Sequence, residues 1–163
     1  MNVYMSKDGR CISYSGTHLD QHKDVVPFLH EAIAKVDLSK HNSRTQGNTI
    51  CLAVDMERIV GKSTCVETTY KDEIVYATRQ GRKTITRFVK NREAIDCSFI
   101  TVVIAMRPRV ESFKLVSAWI GHPAPKEPSD PSITSVKELV ESEKFWNHHA
   151  LIYGSQELAK GTK

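Results

Sequence analysis

Apolar residues recur with a helical period near the start of the chain. Between residues 17 and 36, apolar side chains from Leu19 to Val36 follow helical spacing, which predicts an amphipathic helix with Thr17 as its N-cap. Pro27 falls inside this segment. Because proline removes a backbone donor and clashes with the preceding turn, we expect a kink or two consecutive short helices.

The pattern becomes strand-like after the polar stretch 40–48, and it predicts a sheet. The predicted strands are 49–54, 65–69, 73–79, 83–90, 98–106 and 113–120. Short connections between consecutive strands favour an antiparallel meander. A helical pattern returns at 133–147, and 149–153 is either a last strand or the end of that helix. The order predicts an α+β fold, with N-terminal helices packed on an antiparallel β-meander sheet and a C-terminal helical element.

The length of 163 residues fits one domain with a real core. We expect an N-terminal arm at 1–16, a single α+β domain at 17–153 and a disordered tail at 154–163. No apolar run approaches the roughly 18 residues of a membrane span, and the N-terminus lacks the pattern of a secretory signal. These features predict a cytoplasmic protein and leave delivery to another cell by a non-classical route open.

Several patterns that would indicate a metal or nucleotide site are incomplete. The four cysteines form no Cys-x-x-Cys pair. The segment 61–64 (Gly-Lys-Ser-Thr) ends like a phosphate-binding loop, but Met56 stands where that loop needs its first glycine. His18 and His22 have zinc-ligand spacing without the glutamate of a metalloprotease motif or a nearby third ligand. We therefore expect neither a metal site nor a cofactor.

Positive charge is concentrated in one part of the chain. The net charge is only +4, yet five cations fall between Arg79 and Lys90. Strand-borne cations suit a phosphate backbone, so we expect Arg82, Lys83 and Lys90 to bind nucleic acid. The same cluster also fits a solvated edge strand, where lysine and arginine prevent unwanted pairing.

Histidines and small hydroxyl residues are further candidate catalytic residues. His22 lies at the margin of the first helical stripe, and His149 lies in a C-terminal aromatic segment. Thr101 and Ser117 each stand among bulky apolar residues of a predicted strand. Each of these has an ordinary structural alternative, such as a core histidine or a hydroxyl bonded to backbone. Together with the cations they form the set needed for metal-independent RNA cleavage, in which histidine moves protons and arginine stabilises the phosphorane.

Residues 17 to 153 resemble the barnase–EndoU–colicin E5/D–RelE-like (BECR) nuclease fold, in its phage and polymorphic-toxin branches. The resembling segments are His18-Leu-Asp-Gln-His22, Ile74-Val-Tyr-Ala-Thr-Arg79, Thr86-Arg-Phe-Val-Lys90, Ile100-Thr-Val-Val-Ile104, Leu115-Val-Ser-Ala-Trp-Ile-Gly121 and Phe145-Trp-Asn-His-His-Ala-Leu-Ile152. The ordered set carries the resemblance, since none of its motifs is specific alone.

The resemblance implies a toxin-like ribonuclease that cleaves RNA without a metal and is held in check by an immunity or antitoxin protein. It matches a helix histidine to His22, strand cations to Arg79 and Arg87, and a late-strand hydroxyl to Ser117. His149 joins this catalytic set on its chemistry alone. The alternative is a non-catalytic module that binds RNA or protein through the same basic sheet.

Overall fold

A computed structural model of the protein describes residues 2–39, 49–106 and 112–154. The structure is mostly sheet with two short α-helices, so the predicted α+β class is confirmed. In chain order the strands are β1 (Asn2–Met5), β2 (Cys11–Tyr14), β3 (Thr49–Asp55), β4 (Gly61–Ser63), β5 (Cys65–Glu67), β6 (Ile74–Thr78), β7 (Ile85–Val89), β8 (Ile95–Cys97), β9 (Phe99–Met106), β10 (Phe113–Ile120) and β11 (His149–Ile152). The α-helices are α1 (Leu29–Ala34) and α2 (Val136–Trp146).

The residues group into two compact units. The first consists of Met1–Lys62 and Asp96–Pro123, and the second of Ser63–Ile95 and Ala124–Lys163. In the sequence, the boundaries between them fall after Lys62, Ile95 and Pro123. No helix among the described residues is long and apolar enough to cross a membrane.

The first unit is built on a five-stranded sheet in the order β1-β2-β10-β9-β3. Strand alternation turns Ile100, Val102 and Ile104 to one face, where all three are fully buried. Leu29 and Ile33 of α1 belong to the same core, so the helix covers this face. In place of one long helix at 17–36, the chain forms 3-10 helices at His18–Gln21 and Val26–Phe28 before α1, as the proline at 27 requires.

The second unit is built on a four-stranded sheet in the order β5-β11-β7-β6. Ser135 caps α2, since its side chain accepts a hydrogen bond from the Glu138 amide at 3.1 Å. At the other end of α2 the buried Trp146 indole donates to the backbone carbonyls of Pro125 and Lys126, at 3.1 and 3.2 Å. These bonds fix the segment before α2 against the helix.

The prediction of a single antiparallel meander is wrong, because the strands form separate sheets. Each of the two larger sheets contains one parallel pair, β2 with β10 and β11 with β7. Residues 2–14 of the predicted arm form β1 and β2 of the first sheet. Where the sequence predicted one domain at 17–153, the residues group into two units. Apart from Gly154, the predicted tail lies outside the described residues.

Candidate functional site

The residues predicted to act together are distributed over both units. His22 and Ser117 belong to the first unit, whereas Arg79, Arg87 and His149 belong to the second. The candidate site is therefore built within the second unit, where three of the five predicted catalytic residues lie.

In the first unit, His22 follows the 3-10 helix His18–Gln21 and is half-buried. Its ring centroid lies 5.3 Å from that of His18. Burial lowers the pKa of His22, the neighbouring His18 lowers it further, and Asp24 opposes the shift. The environment therefore favours the neutral imidazole.

Ser117 is buried, but its neighbours differ from the predicted ones. Strict alternation would place it on the face of Phe113 and Leu115. The register between β9 and β10 instead shifts between Leu115 and Ser117, so that Ser117 pairs with Val103. This β-bulge moves Ser117 to the other face, together with Trp119. Thr101 is fully buried, and its hydroxyl donates to the Gly121 carbonyl at 2.7 Å.

In the second unit, the predicted phosphate-binding cations lie at opposite ends of β7. Arg82 and Lys83 are exposed in the turn before β7, whereas Lys90 is exposed after its last residue. Lys90 lies over the ring of Tyr153, with 5.1 Å between its Nζ and the ring centroid. At about 3.3 Å per strand residue, Lys83 and Lys90 lie roughly 20 Å apart.

His149, the first residue of β11, is held in a defined orientation. Its ring stacks on that of Phe145 in α2, with centroids 3.9 Å apart and planes 3° from parallel. Its Nδ1 lies 2.9 Å from the Phe145 carbonyl oxygen. Because a carbonyl only accepts hydrogen bonds, Nδ1 carries a proton, and Nε2 is left for proton transfer. Nε2 makes no hydrogen bond within the described part of the chain.

Glu67 faces His149 across the sheet. The two residues are direct partners in the antiparallel pairing of β5 with β11. The next pair, Val66 and Ala150, is buried in a small apolar cluster on the opposite face. The Glu67 and His149 side chains therefore leave the sheet on the same face, with Cβ atoms about 5 Å apart. A carboxylate and an imidazole at this separation can serve one reaction as base and acid.

Arg87 approaches the start of β11 from the other face of the sheet and is anchored through one nitrogen. Its Nη1 donates to the Thr68 hydroxyl at 2.9 Å and to the His149 carbonyl at 2.8 Å. Alternation places the Arg87 side chain on the sheet face opposite the His149 ring, and the guanidinium ends against the start of β11. Both hydrogen bonds use Nη1, so Nε and Nη2, the fork that binds an oxyanion side-on, make none among the described residues.

A second arginine approaches Glu67 from the segment after β7. Arg92 Nη1 lies 3.3 Å from the Glu67 carbonyl oxygen and 3.4 Å from Asp72 Oδ2. Its side chain is 35% exposed, so it is partly open to solvent. The site thus combines a carboxylate, an oriented histidine and two arginines around the paired ends of β5 and β11.

Arg79 is separate from this group. Its Nη2 donates to Glu127 Oε1 at 2.6 Å, and the side chains are 16% and 7% exposed. Thr86 donates to the same carboxylate oxygen at 3.1 Å. No three His, Cys, Asp or Glu side chains gather in a metal-binding arrangement in the part of the chain that the structure describes.

Sequence reasoning missed Glu67, and it gave Arg92 no role beyond RNA binding together with its basic neighbours. Glu67 ends a short strand, and only the docking of β11 beside β5 brings it to His149. These strands lie far apart in the sequence, and no local pattern encodes their pairing. Arg92 lies two residues beyond the basic segment that ends at Lys90, and its position against Glu67 depends on the same docking.

No protein-family model and no curated protein matches this sequence. Among solved structures, the fold is similar to the 2.35 Å crystal structure of a conserved hypothetical protein from Toxoplasma gondii ME49. The alignment has a TM-score of 0.58 and covers 91% of this chain and 96% of the other, at 10% sequence identity. Similarity at this identity concerns the fold alone, so function must be argued from the side chains of this chain.

Proposed function

We propose that this protein is an endoribonuclease that cleaves RNA without a metal ion, with Glu67 and His149 as its acid–base pair. The observation that carries the proposal is their direct pairing on one sheet face, with the imidazole oriented through Nδ1. The resemblance of residues 17–153 to BECR-fold nucleases supports the same reaction class, and with it an immunity or antitoxin protein as partner.

The reaction is a transesterification followed by release of the downstream strand. Glu67 accepts the proton of the ribose 2′-hydroxyl, and the 2′-oxygen forms a bond to the adjacent phosphorus. The bond from phosphorus to the 5′-oxygen breaks, and protonated His149 gives its Nε2 proton to that oxygen. The products are a 2′,3′-cyclic phosphate and a 5′-hydroxyl. Protons are conserved, because the one that Glu67 gains matches the one that His149 loses.

Arginines on both faces of the sheet supply positive charge for the RNA backbone. Arg87 lies on the face opposite Glu67 and His149, where its side-on fork, held by two bonds through Nη1, suits the oxygens of a phosphate next to the one that reacts. Arg92 adds positive charge beside Glu67, where it stabilises charge as it develops on the phosphorane.

An exposed tyrosine near Arg87 supports a single-stranded substrate. Tyr76 is the direct partner of Arg87 in the pairing of β6 with β7, and it is 57% exposed. An exposed ring beside a strand-borne cation can stack on an unpaired base. A base held there would bring its neighbouring phosphate toward Arg87.

Total RNA incubated with the protein in EDTA, followed by mapping of the cut ends, tests this function. We expect cleavage that leaves 2′,3′-cyclic phosphates and is lost in His149→Ala. Matched His148→Ala should cleave normally, since His148 is the adjacent exposed histidine. Cleavage that requires Mg²⁺, or that acts equally on DNA, contradicts the proposal.

A second candidate function is RNA or protein binding without cleavage. The exposed side chains of Arg82, Lys83 and Lys90 favour it, since none forms an ion pair among the described residues. These cations could hold a phosphate backbone whether or not the acid–base pair acts. Retention of intact RNA in the same EDTA experiment would select this function. His22, Ser117 and Arg79, which the sequence also predicts as catalytic residues, lie outside the Glu67–His149 pair, and their catalytic role stays a prediction.

A further inference from the structure

The turn between β6 and β7 carries a second cluster of polar groups, at residues 79–84, which we name the hairpin tip. Gly81 provides the positive φ of 78° that the turn requires, and the Arg82 amide donates to the Arg79 carbonyl at 3.0 Å. The tip lies at the start of β7, while the Glu67–His149 pair lies at the β5–β11 end of the sheet.

At this tip, only one of the two nitrogens on one side of the Arg79 guanidinium forms a hydrogen bond. Nη2 donates to Glu127 Oε1 at 2.6 Å, while the buried Nε makes no hydrogen bond among the described residues. A carboxylate that filled the fork would bind both nitrogens with its two oxygens. The bond to Glu127 therefore leaves the buried Nε–H of Arg79 without an acceptor, which lowers the free energy of unfolding.

Thr84 offers a second unused donor on the same face. Its side chain is buried, with the residue only 7% exposed, and Oγ1 makes no hydrogen bond in the part of the chain described. Because Thr78 pairs with Ile85, Arg79 and Thr84 are the next facing positions of the hairpin. Alternation places both on the face of Thr86, whose hydroxyl also reaches Glu127.

The local charge favours an anion. Arg82 and Lys83 are exposed beside Arg79, and together these three cations outnumber the carboxylates of Glu127 and Asp130. Burial lowers the pKa of Arg79, Glu127 opposes that shift, and the like charge of Arg82 adds to it. An anion at the tip would offset the repulsion between the two guanidinium groups.

We propose that the hairpin tip binds one phosphate group, with Arg79 Nε and Thr84 Oγ1 as hydrogen-bond donors and Arg82 as an additional positive charge. The chemistry is that of a tetrahedral oxyanion, because the unused groups are donors and the neighbouring carboxylate already shows that an anionic oxygen is accepted by this fork. The source of the phosphate rests on the proposed function: an RNA backbone that passes from the cleavage site toward the tip.

Titration of the isotope-labelled full-length protein with inorganic phosphate tests the site directly. The readout is the NMR signal of the arginine Nε–H groups, with Arg79 assigned through Arg79→Lys. We expect the Arg79 signal to shift with a saturable dependence on phosphate, while chloride at equal ionic strength leaves it in place. A shift that never saturates, or that chloride reproduces, overturns the proposal.

Two variants separate binding from folding. Thr84→Val keeps the shape of the side chain and removes the donor, so phosphate affinity should fall roughly tenfold, as for loss of a hydrogen bond to a charged group. Matched Thr134→Val removes an exposed hydroxyl of the same unit and should bind phosphate normally. Glu127→Gln should bind phosphate more tightly, because it removes a competing negative charge. Unchanged affinity in Thr84→Val overturns the proposal, provided that its melting curve matches that of the wild type.

A single-stranded oligoribonucleotide that lacks terminal phosphates identifies the source of the phosphate. If this RNA shifts the Arg79 signal as inorganic phosphate does, and Thr84→Val reduces both effects, the tip binds the RNA backbone. If only inorganic phosphate shifts it, the backbone assignment is wrong. RNA cleavage without any phosphate effect at Arg79 would reject the tip site and keep the proposed reaction. A phosphate effect at Arg79 without RNA cleavage would support the tip site and contradict the proposed reaction.

Discussion

Glu67 and His149 are direct partners across β5 and β11, and their side chains emerge on one face of the second unit's sheet. The imidazole is fixed by stacking on Phe145 and by the bond from Nδ1 to the Phe145 carbonyl. Carboxylate and imidazole are thus placed by two rigid elements, a strand pair and α2. Sites on such elements hold their geometry better than sites on loops.

Substitutions at this pair should lower RNA cleavage without unfolding the protein. His149→Ala and Glu67→Gln should each reduce the cleavage rate by roughly 10²-fold or more, the usual contribution of general acid–base catalysis. His148→Ala is the matched control and should retain the wild-type rate. Single-turnover rates are compared with a melting curve for each variant. Normal cleavage in both His149→Ala and Glu67→Gln would remove the pair from the reaction.

Arg87 should be sensitive to a change that preserves its charge. Arg87→Lys keeps the positive charge but loses the fork, so cleavage should fall by roughly tenfold or more. Lys90→Gln, at an exposed position three residues along the chain, should instead weaken RNA binding and reduce its salt dependence by at most about one unit of slope. Cleavage rates and binding isotherms at several salt concentrations distinguish the two effects. Equal rates for Arg87→Lys and the wild type would mean that Arg87 acts only as a point charge.

The sequence predicted most strands of the structure because their hydrophobic periods are local. The predicted strands at 49–54, 98–106 and 113–120 lie within one residue of β3, β9 and β10. Short interior elements with mixed patterns were missed, including β4 and β8. The β-bulge between Leu115 and Ser117 was not predicted either, because the strand pattern of alternating faces continues on each side of the inserted residue.

The candidate site was less accessible to sequence reasoning than the fold. Arg87 and His149 were identified by residue type, and the structure brings the guanidinium of one to the carbonyl of the other. Glu67 has no distinguishing local feature. Its role depends on a parallel pairing of β11 with β7 that places the start of β11 opposite the end of β5. Such long-range pairing is set by the packing of the whole unit rather than by local periodicity.

Protonation of His22 should destabilise the protein at acidic pH. Burial lowers its pKa in the folded state, with His18 as a further cause, so the unfolded chain binds this proton more readily. Stability contributed by neutral His22 is therefore present at pH 7.5 and is lost as pH falls below about 6.5. Urea unfolding from pH 7.5 to 5.5 should show a shallower dependence in His22→Gln than in the wild type. Identical pH dependence would show that His22 has an ordinary environment.

Cys65 should resist alkylation at moderately alkaline pH. Burial raises the pKa of its thiol from 9.0 to about 11, so its thiolate fraction at pH 8 is about 10⁻³, against about 10⁻¹ for a thiol with the ordinary value. Cys11 is exposed and serves as the internal reference. Iodoacetamide labelling followed by peptide mass spectrometry should show Cys65 modified at least tenfold more slowly than Cys11. Comparable rates would mean that the Cys65 thiol is more accessible than its position in β5 indicates.

The most direct test of the proposed reaction uses a DNA oligonucleotide that contains one ribonucleotide, with an all-DNA oligonucleotide of the same sequence as control. In EDTA the wild-type protein should cut the first only at its ribonucleotide and leave a 2′,3′-cyclic phosphate, because the 2′-hydroxyl is the nucleophile. Glu67→Gln and His149→Ala should leave both oligonucleotides intact. Cleavage of the all-DNA oligonucleotide, or full cleavage of the first by Glu67→Gln and His149→Ala, would contradict a metal-independent ribonuclease that acts through this pair.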